Sequence, residues 1–357
     1  MESWSGRLAV TGIGLVTPVG LSAPASLTAL RAGISRIGAL RSFQVTNAKG
    51  EPEPMLGAEV PTIPANRQGP ERLVRMAEAA MREAIALARA PRCTKDQRYG
   101  LFLGTPAANP AGRILPYGPG LAQHLGQVLV DLVGNVSLRL CETGRASALQ
   151  ALRLAAQELA REEKPIDLAI VGGVDSLVAT RTLTFLQANG RLREGRKSSG
   201  VLPGEGAGFL VIEKIETATR RGVIVLATLE TCAGELDSTP FGKPNKAAAL
   251  TKVFRGIAPK VVEPRPLLIS DLNGERPRAF EWMFASSRAP FYHGGMPHWL
   301  SSESIGDSGA ASGAVNCCWA VGALGRGYAP SREAVIWGAS DEGAREAVVI
   351  KSAAGAS

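Results

Sequence analysis

The chain has 357 residues, 45% of them hydrophobic, and its 40 Lys and Arg against 32 Asp and Glu give a net charge of +8. This length and apolar content exclude a disordered protein and a minimal scaffold that depends on disulfides or metals. The cysteines show no CxxC spacing, so they predict neither a disulfide framework nor a bound metal. They are Cys93, Cys141, Cys232, Cys317 and Cys318.

The amino terminus and the charge pattern favour a cytoplasmic protein that contacts neither membranes nor nucleic acid. Glycine and proline interrupt the first apolar run before it reaches the length of a signal peptide or a membrane span. Most cations are arginines spread along the chain, apart from a cluster at Arg191, Arg193, Arg196 and Lys197. Nucleic-acid surfaces usually have denser basic blocks interleaved with aromatic residues. Solvated surface charges are the ordinary explanation, and docking of an acidic protein or a phosphate-bearing ligand is the alternative.

The first hundred residues alternate between strand and helix patterns. Leu8–Val10 is a short apolar strand candidate, and a helical stretch follows near Ala25–Ala32. Residues 43–70 are rich in Pro, Gly and Glu, which predicts a loop. From Glu71 to Ala90, apolar residues recur at three- and four-residue spacing and predict an amphipathic helix, followed by a buried strand at Tyr99–Leu103.

The rest of the chain continues this alternation. Cys141 opens a predicted helix whose apolar stripe ends before the EEKP segment at 162–165, and Leu168–Val171 is then a buried strand. Further strands are predicted at Phe209–Ile212, Val223–Leu229, Pro266–Ile269, Ala334–Trp337 and Ala347–Ile350, and helices around Lys246–Phe254 and after Gly309. The pattern favours an α/β fold with sheets covered on both faces.

A weak internal repeat links two of the predicted helices. Thr143–Ser147 (TGRAS) and Ser308–Ser312 (SGAAS) share a hydroxyl, Gly, Ala and Ser at four of five positions, and each opens a helix that is followed by a strand. Two halves built alike would bury these small-residue helices against each other.

Cys141 is the candidate nucleophile. At the first turn of a helix, free backbone N–H groups and the helix dipole would stabilise its thiolate. A free cysteine is also a common small core residue, and the neighbouring Glu142 would raise the thiol pKa if its carboxylate pointed inward.

Three other motifs have ordinary explanations. Gly12-Ile-Gly14 resembles the start of a dinucleotide-binding loop, but the third small residue is missing and Pro18 interrupts the following helix. Gly306-Asp-Ser-Gly309 resembles a protease nucleophile segment without the fold that such chemistry needs. His293 and His298 have no Cys or acidic residue at ligand spacing, so hydrogen-bonded histidines are expected there instead of a metal site.

The order of several motifs along the chain resembles the β-ketoacyl synthases of the thiolase superfamily. They are VTGIGLVTPVG (10–20), YGLFLGT (99–105), LCETGRASALQAL (140–152), DLAIVGGVDSL (167–177), LPGEGAGFLVIEK (202–214) and SIGDSGAASGAV (304–315). The resemblance implies a thiolase-like duplicated α/β/α/β/α five-layer fold with halves at about 1–216 and 217–357. It also implies dimers that pair across the strand beside the nucleophile.

The resemblance implies a site formed by three residues. It places Cys141 at the nucleophile, Asn273 at the first active-site histidine and Asp307 at the second, so both histidines are absent. An asparagine can donate a hydrogen bond to a thioester carbonyl but cannot shuttle a proton, and an ionised Asp307 would repel the enolate formed by decarboxylation. Acyl transfer to Cys141, with Asp307 as acid/base or substrate contact, is less demanding than condensation.

We therefore expect a ketosynthase-like acyltransferase of fatty acid or polyketide biosynthesis, with decarboxylative condensation doubtful. No cofactor would be tightly bound. The acyl thioester would be carried by coenzyme A or by the phosphopantetheine arm of an acyl carrier protein, which would dock on Arg191, Arg193 and Arg196. The alternative is a non-catalytic partner subunit, similar to a chain-length factor, that forms a heterodimer with an active ketosynthase instead of a homodimer.

Overall fold

A long strand, β1 (Glu2–Val16), lies at the centre of a ten-stranded sheet in the computed structural model. The structure describes residues 1–46, 49–64, 66–67, 69–107, 117–194 and 197–353. The strand continues well past Val10, where the sequence predicted its end, because Gly12 and Gly14 let helix α2 (Pro70–Leu87) approach its backbone. A Cβ atom at Gly14 would lie 1.9 Å from the carbonyl oxygen of Ala80, so only glycine fits.

The other strands follow in chain order. They are β2 (Gly38–Thr46), β3 (Pro52–Gly57), β4 (Tyr99–Gly104), β5 (Val136–Cys141), β6 (Leu168–Ser176), β7 (Glu205–Lys214), β8 (Ala227–Leu236), β9 (Leu267–Ser270), β10 (His298–Leu300), β11 (Glu333–Ala339) and β12 (Ala344–Ser352). Strands β2 and β3 form a separate two-stranded sheet that overlaps residues 43–70, for which a loop was predicted. The strand predicted from Val223 begins only at Ala227.

The large sheet consists of two arrangements that repeat each other. Outward from the antiparallel β1–β8 pair, one side runs β1-β7-β6-β4-β5 and the other runs β8-β12-β11-β9-β10. On each side the first two pairings are antiparallel and the last two are parallel. The proposed boundary between residues 216 and 217 falls inside helix α6 (Ile215–Arg221), which connects the two sides.

The helices and the two halves of the large sheet form five layers, with helices between the halves and outside each of them. This arrangement confirms the predicted thiolase-like fold. The remaining helices are α1 (Ala23–Arg31), α3 (Tyr117–Val133), α4 (Ser147–Leu159), α5 (Thr180–Ala188), α7 (Ala248–Ile257), α8 (Arg276–Ser286), α9 (Ser302–Ile305) and α10 (Ser312–Gly325). Helices α4 and α10 contact each other and strands of both halves, whereas α2 and α3 cover one half and α7 and α8 the other. Gly313 allows the central contact, since a Cβ there would lie 2.8 Å from Leu149 Cγ.

No helix within the described residues is both long and apolar enough to cross a membrane.

Candidate functional site

The two repeated segments form matching turns at the starts of α4 and α10. A 3₁₀ turn at Gly144–Ala146 leads into α4, and another at Gly309–Ala311 leads into α10. Gly144 and Gly309 both adopt left-handed backbone conformations, with φ of +70° and +55°. The internal repeat therefore predicts a structural repeat correctly, and its small residues let the two turns contact each other.

Three polar side chains meet between these turns. A guanidinium nitrogen of Arg145 forms an ion pair with Asp307 Oδ1, and Asn273 Nδ2 donates to Asp307 Oδ2 at 2.7 Å. The backbone N–H of Gly309 also donates to Oδ1, at 2.9 Å. Burial opposes ionisation of Asp307, but the charge and hydrogen bond of Arg145, with the other donors, outweigh it and lower its pKa. Asp307 is therefore an anion whose partner is Arg145.

A second set of ion pairs surrounds this cluster. Glu275 accepts from Asn273 at 3.0 Å and from Arg191 at 2.7 and 2.9 Å. Asp341 pairs with Arg191 at 2.6 Å, and Arg278 contacts both Glu275 and Asp341. Burial raises the pKa of Glu275, but its arginine neighbours lower it further than burial raises it. Counting the Arg145–Asp307 pair, the site contains three guanidinium groups and three carboxylates, so its charges cancel.

Arg191, one of the three residues predicted to dock a carrier protein, lies within these ion pairs. Its guanidinium is held by Glu275 and Asp341, and the side chain is only 16% exposed. Arg193 is exposed, and Arg196 lies outside the described residues. The sequence showed a basic cluster but not the carboxylates, distant in the chain, that neutralise its first member.

The space beside the ion pairs is small. A cavity of about 60 Å³ is lined by Arg145, Arg191, Gly309 and Asp341, among others. This volume accommodates a few water molecules. Ligand pockets usually measure several hundred Å³, so this cavity is smaller than a typical ligand site.

Cys141 does not open a helix. It is the last residue of β5, and the turn at Gly144–Ala146 separates it from α4. Its side chain is buried, and burial raises the pKa of its thiol to about 12. The charged groups that influence the pKa of the Cys141 thiol are Arg139, Glu346 and Arg153. None of them belongs to the Arg145–Asp307 cluster. The helix terminus that was expected to stabilise a thiolate is therefore not at this residue.

The sequence match covers one part of the chain. The model of the β-ketoacyl synthase N-terminal domain matches residues 139–218, which include Cys141 and the first repeated turn. The polyketide synthase GfsA of Streptomyces halstedii is 29% identical over 205 residues, and the spectinabilin polyketide synthase protein NorA of Streptomyces orinoci is 27% identical over 268. These alignments cover 53% and 67% of this chain but only 3% and 14% of the two relatives.

Solved structures match almost the whole chain. One is a ketosynthase in complex with the acyl carrier protein of a type II polyketide synthase (AntDE:AntF), with a TM-score of 0.80 and 15% identity. Another is the ishigamide ketosynthase/chain length factor, with a TM-score of 0.74 and 18% identity. Both alignments cover 98% of this chain and 100% of the matched chain.

Residues 139–218 are thus similar to the β-ketoacyl synthase N-terminal domain, and the whole chain has the fold of solved ketosynthases.

Within this ketosynthase-like fold, two of the three predicted site residues lie together. Asn273 and Asp307, which the resemblance places at the two histidine positions, are hydrogen-bonded to each other. The third side chain in contact with them is Arg145, and no hydrogen bond or ion pair joins Cys141 to either residue within the described chain.

Sequence reasoning missed Arg145, although a signal was present. Arg145 is the only charged residue in the two five-residue repeats, and it occupies the place of Ala310. A charged side chain within a stretch of small buried residues needs a partner, and Asp307 directly precedes the other repeat. Ser340 fixes the arginine turn, because its Oγ accepts from the N–H of Ala146 at 2.8 Å and donates to the carbonyl of Thr143.

His298 behaves as an ordinary, partly buried histidine. Its Nε2 lies 2.8 Å from Ser270 Oγ, and burial lowers its pKa to about 4. No group of three potential metal ligands occurs among the residues that the structure describes.

Proposed function

We propose that this chain is a non-condensing subunit of a ketosynthase assembly, similar in role to a chain-length factor. It would pair with an active ketosynthase and help to shape the space for that enzyme's acyl chain. The observation that carries the proposal is the buried Arg145–Asp307 ion pair, which is hydrogen-bonded to Asn273 where the resemblance implies the catalytic histidines.

The chemistry of the cluster argues against condensation. A thiol with a pKa of about 12 is ionised in roughly one molecule in 10⁵ at pH 7, so Cys141 is a weak nucleophile. Asn273 cannot shuttle a proton, and ionised Asp307 cannot stabilise a developing enolate. Arg145 could stabilise an oxyanion, but its guanidinium is already engaged by Asp307.

Acyl transfer to Cys141 from coenzyme A or from an acyl carrier protein is the competing proposal. It needs a base close to the thiol. Asp307 uses its two carboxylate oxygens to accept from Arg145, Asn273 and Gly309, and the charges that act on Cys141 come from other residues. This geometry favours the partner role over acyl transfer.

The sheet offers a place for pairing. β5 is the last strand of the large sheet, and among the described residues it pairs with β4 alone, so its other edge is open there. Leu138, in the middle of β5, is 47% exposed. An open strand edge is a template for pairing with another chain, which supports a dimer formed across β5.

Co-expression with each ketosynthase of the same organism, followed by native mass spectrometry, tests the proposal. We expect a 1:1 complex with one of them, weakened by Leu138→Glu. Ile224→Glu is the matched control, because Ile224 is 76% exposed but lies outside β5. The active partner should make a product of different chain length when this chain is absent. Condensation by this chain alone, or no complex with any ketosynthase, would refute the proposal.

A further inference from the structure

Helix α8 exposes an apolar stripe on its outer face. Phe280, Met283 and Phe284 are 56%, 51% and 40% exposed. Their spacing of three and four residues places them on one side of the helix. Glu281 and Ala285 of the same helix are buried. Grouped apolar side chains on a surface commonly mark a binding site for another molecule.

A groove runs beside this stripe. It lies between α8 and the loop 239–245 and has a volume of about 420 Å³. Phe280 and Phe284 line one wall, together with Arg276. The only acidic residue among its lining is Glu281, which is bound by Arg345 at 2.7 and 3.1 Å.

Four exposed cations border the stripe and the groove. None of them has a carboxylate within ion-pair distance among the described residues. They are Lys243, Lys246, Arg276 and Arg288. The guanidinium of Arg288 donates to the carbonyl of Lys246 at 2.6 Å and lies 5.9 Å from the ring centre of Phe284. These contacts leave the positive charge of the surface without compensation.

We infer that this surface, the α8 surface (Phe280, Met283, Phe284 and the four cations), docks an acidic protein through an amphipathic helix. The helix would pack apolar residues on the aromatic stripe and pair its carboxylates with the surrounding cations. A second copy of this chain is disfavoured, because it would bring the same cations together. The α8 surface is on the half opposite β5, so the inference does not rest on the proposed function.

The acidic partner that the sequence predicted at Arg191 would therefore dock on the α8 surface instead. Arg191 is neutralised by Glu275 and Asp341, whereas the cations of the α8 surface are exposed and unpaired within the described residues. Long-range attraction between this surface and an acidic protein should weaken with salt.

Two probes test the inference by fluorescence anisotropy. The first is a designed amphipathic peptide of about 18 residues, with leucines on one face and glutamates on the other. Its control has lysines in place of the glutamates. The second probe is a purified apo acyl carrier protein of a type II polyketide system. We expect the acidic peptide or the carrier protein to bind, binding to weaken with added salt, and the lysine peptide not to bind.

Variants locate the binding. Phe280→Glu and Arg276→Glu should each weaken binding by about tenfold or more. The matched controls Ile224→Glu and Arg220→Glu change exposed residues of the same types elsewhere and should leave binding within about twofold. The inference is overturned if neither acidic probe binds, or if the control variants weaken binding as much as the α8 variants. The Phe280→Glu variant should still form the ketosynthase complex, so loss of peptide binding in this variant can be distinguished from failure of the proposed function.

Discussion

The two turns that precede α4 and α10 have the same backbone but opposite electrostatic roles. Each begins with a left-handed glycine and enters its helix through a 3₁₀ turn. The first presents Arg145, whereas the second is preceded by Asp307 and contains only small residues. Because the turns contact each other, the cation of one half meets the anion of the other.

This difference brings a cation and an anion together between the two halves of a duplicated fold, while the backbone of the two turns stays the same. Small residues preserve the close approach of the two turns, and the charged pair fills the space between them. The pair is worth little as a source of net stability, but either charge alone would be costly to bury.

Removing the cation should have the largest effect. Arg145→Met leaves Asp307 as a buried anion without its ion-pair partner, so we expect the free energy of unfolding to fall by about 3–5 kcal/mol. The double variant Arg145→Met/Asp307→Asn should recover at least half of this loss, because it removes both charges. Urea denaturation measures both values. Arg161→Met, at an exposed pair with Glu158, is the control and should change stability by less than about 1 kcal/mol. A single variant as stable as the wild type would contradict the account.

Equivalent glycine substitutions should have unequal costs. At Gly309 a Cβ would lie 2.1 Å from Asp175 Oδ2, inside a buried region. At Gly144 the nearest atom is the end of the longer Glu342 side chain, at 2.6 Å, which can move. Gly309→Ala should therefore cost about 2–4 kcal/mol and Gly144→Ala about 1 kcal/mol. Thermal unfolding of both variants tests this order, and equal losses would show that the two turns have equivalent surroundings.

Asn273, the neutral member of the cluster, should contribute less to the free energy of unfolding than the ion pair. Asn273→Ala removes the donor to Asp307 Oδ2 and Glu275 Oε2, and we expect a loss of about 1–3 kcal/mol. Asn189→Ala is the control, since Asn189 is exposed and its side chain donates to the backbone carbonyl of Phe185. If Asn273→Ala destabilised the protein more than Arg145→Met, the ion pair would not be the dominant contact of the site.

Thiol labelling should separate Cys141 from a more accessible cysteine. Cys93 is only partly buried, whereas Cys141 is buried and has a pKa of about 12. Iodoacetamide near neutral pH should therefore modify Cys93 first. Labelling of Cys141 should rise about tenfold for each pH unit up to its pKa, because the thiolate fraction rises by that factor. Peptide mass spectrometry at pH 7, 8 and 9 measures the rates. Faster labelling of Cys141 than of Cys93 at pH 7 would indicate an activated nucleophile.

Sequence periodicity predicted the framework better than the site. The helix predicted from Glu71 is confirmed by α2, and the buried strand predicted from Leu168 is confirmed by β6, because periodicity and apolar runs report local burial. The strand predicted to end at Val10 continues to Val16. Gly12 and Gly14 are needed in it because α2 approaches their backbone, and this contact is distant in sequence.

The site depends on such distant contacts throughout. Asn273 and Asp307 were identified through the family resemblance and do lie together. Their pairing with Arg145 and the neutralisation of Arg191 depend on residues far apart in the chain, and no local pattern specifies which charges will meet. The start of α4 was predicted too early, at Cys141 instead of Ser147. The reason is local, because Cys141 ends β5 and a 3₁₀ turn at Gly144–Ala146 precedes the helix.

Intact-protein mass spectrometry with acyl thioesters tests the central claim most directly. The wild type and Cys141→Ala are incubated with a panel of acyl-CoA and acyl-carrier donors of increasing chain length. The account predicts that neither protein gains the mass of an acyl group. An adduct on the wild type that is absent from Cys141→Ala would contradict it and establish acyl transfer to Cys141.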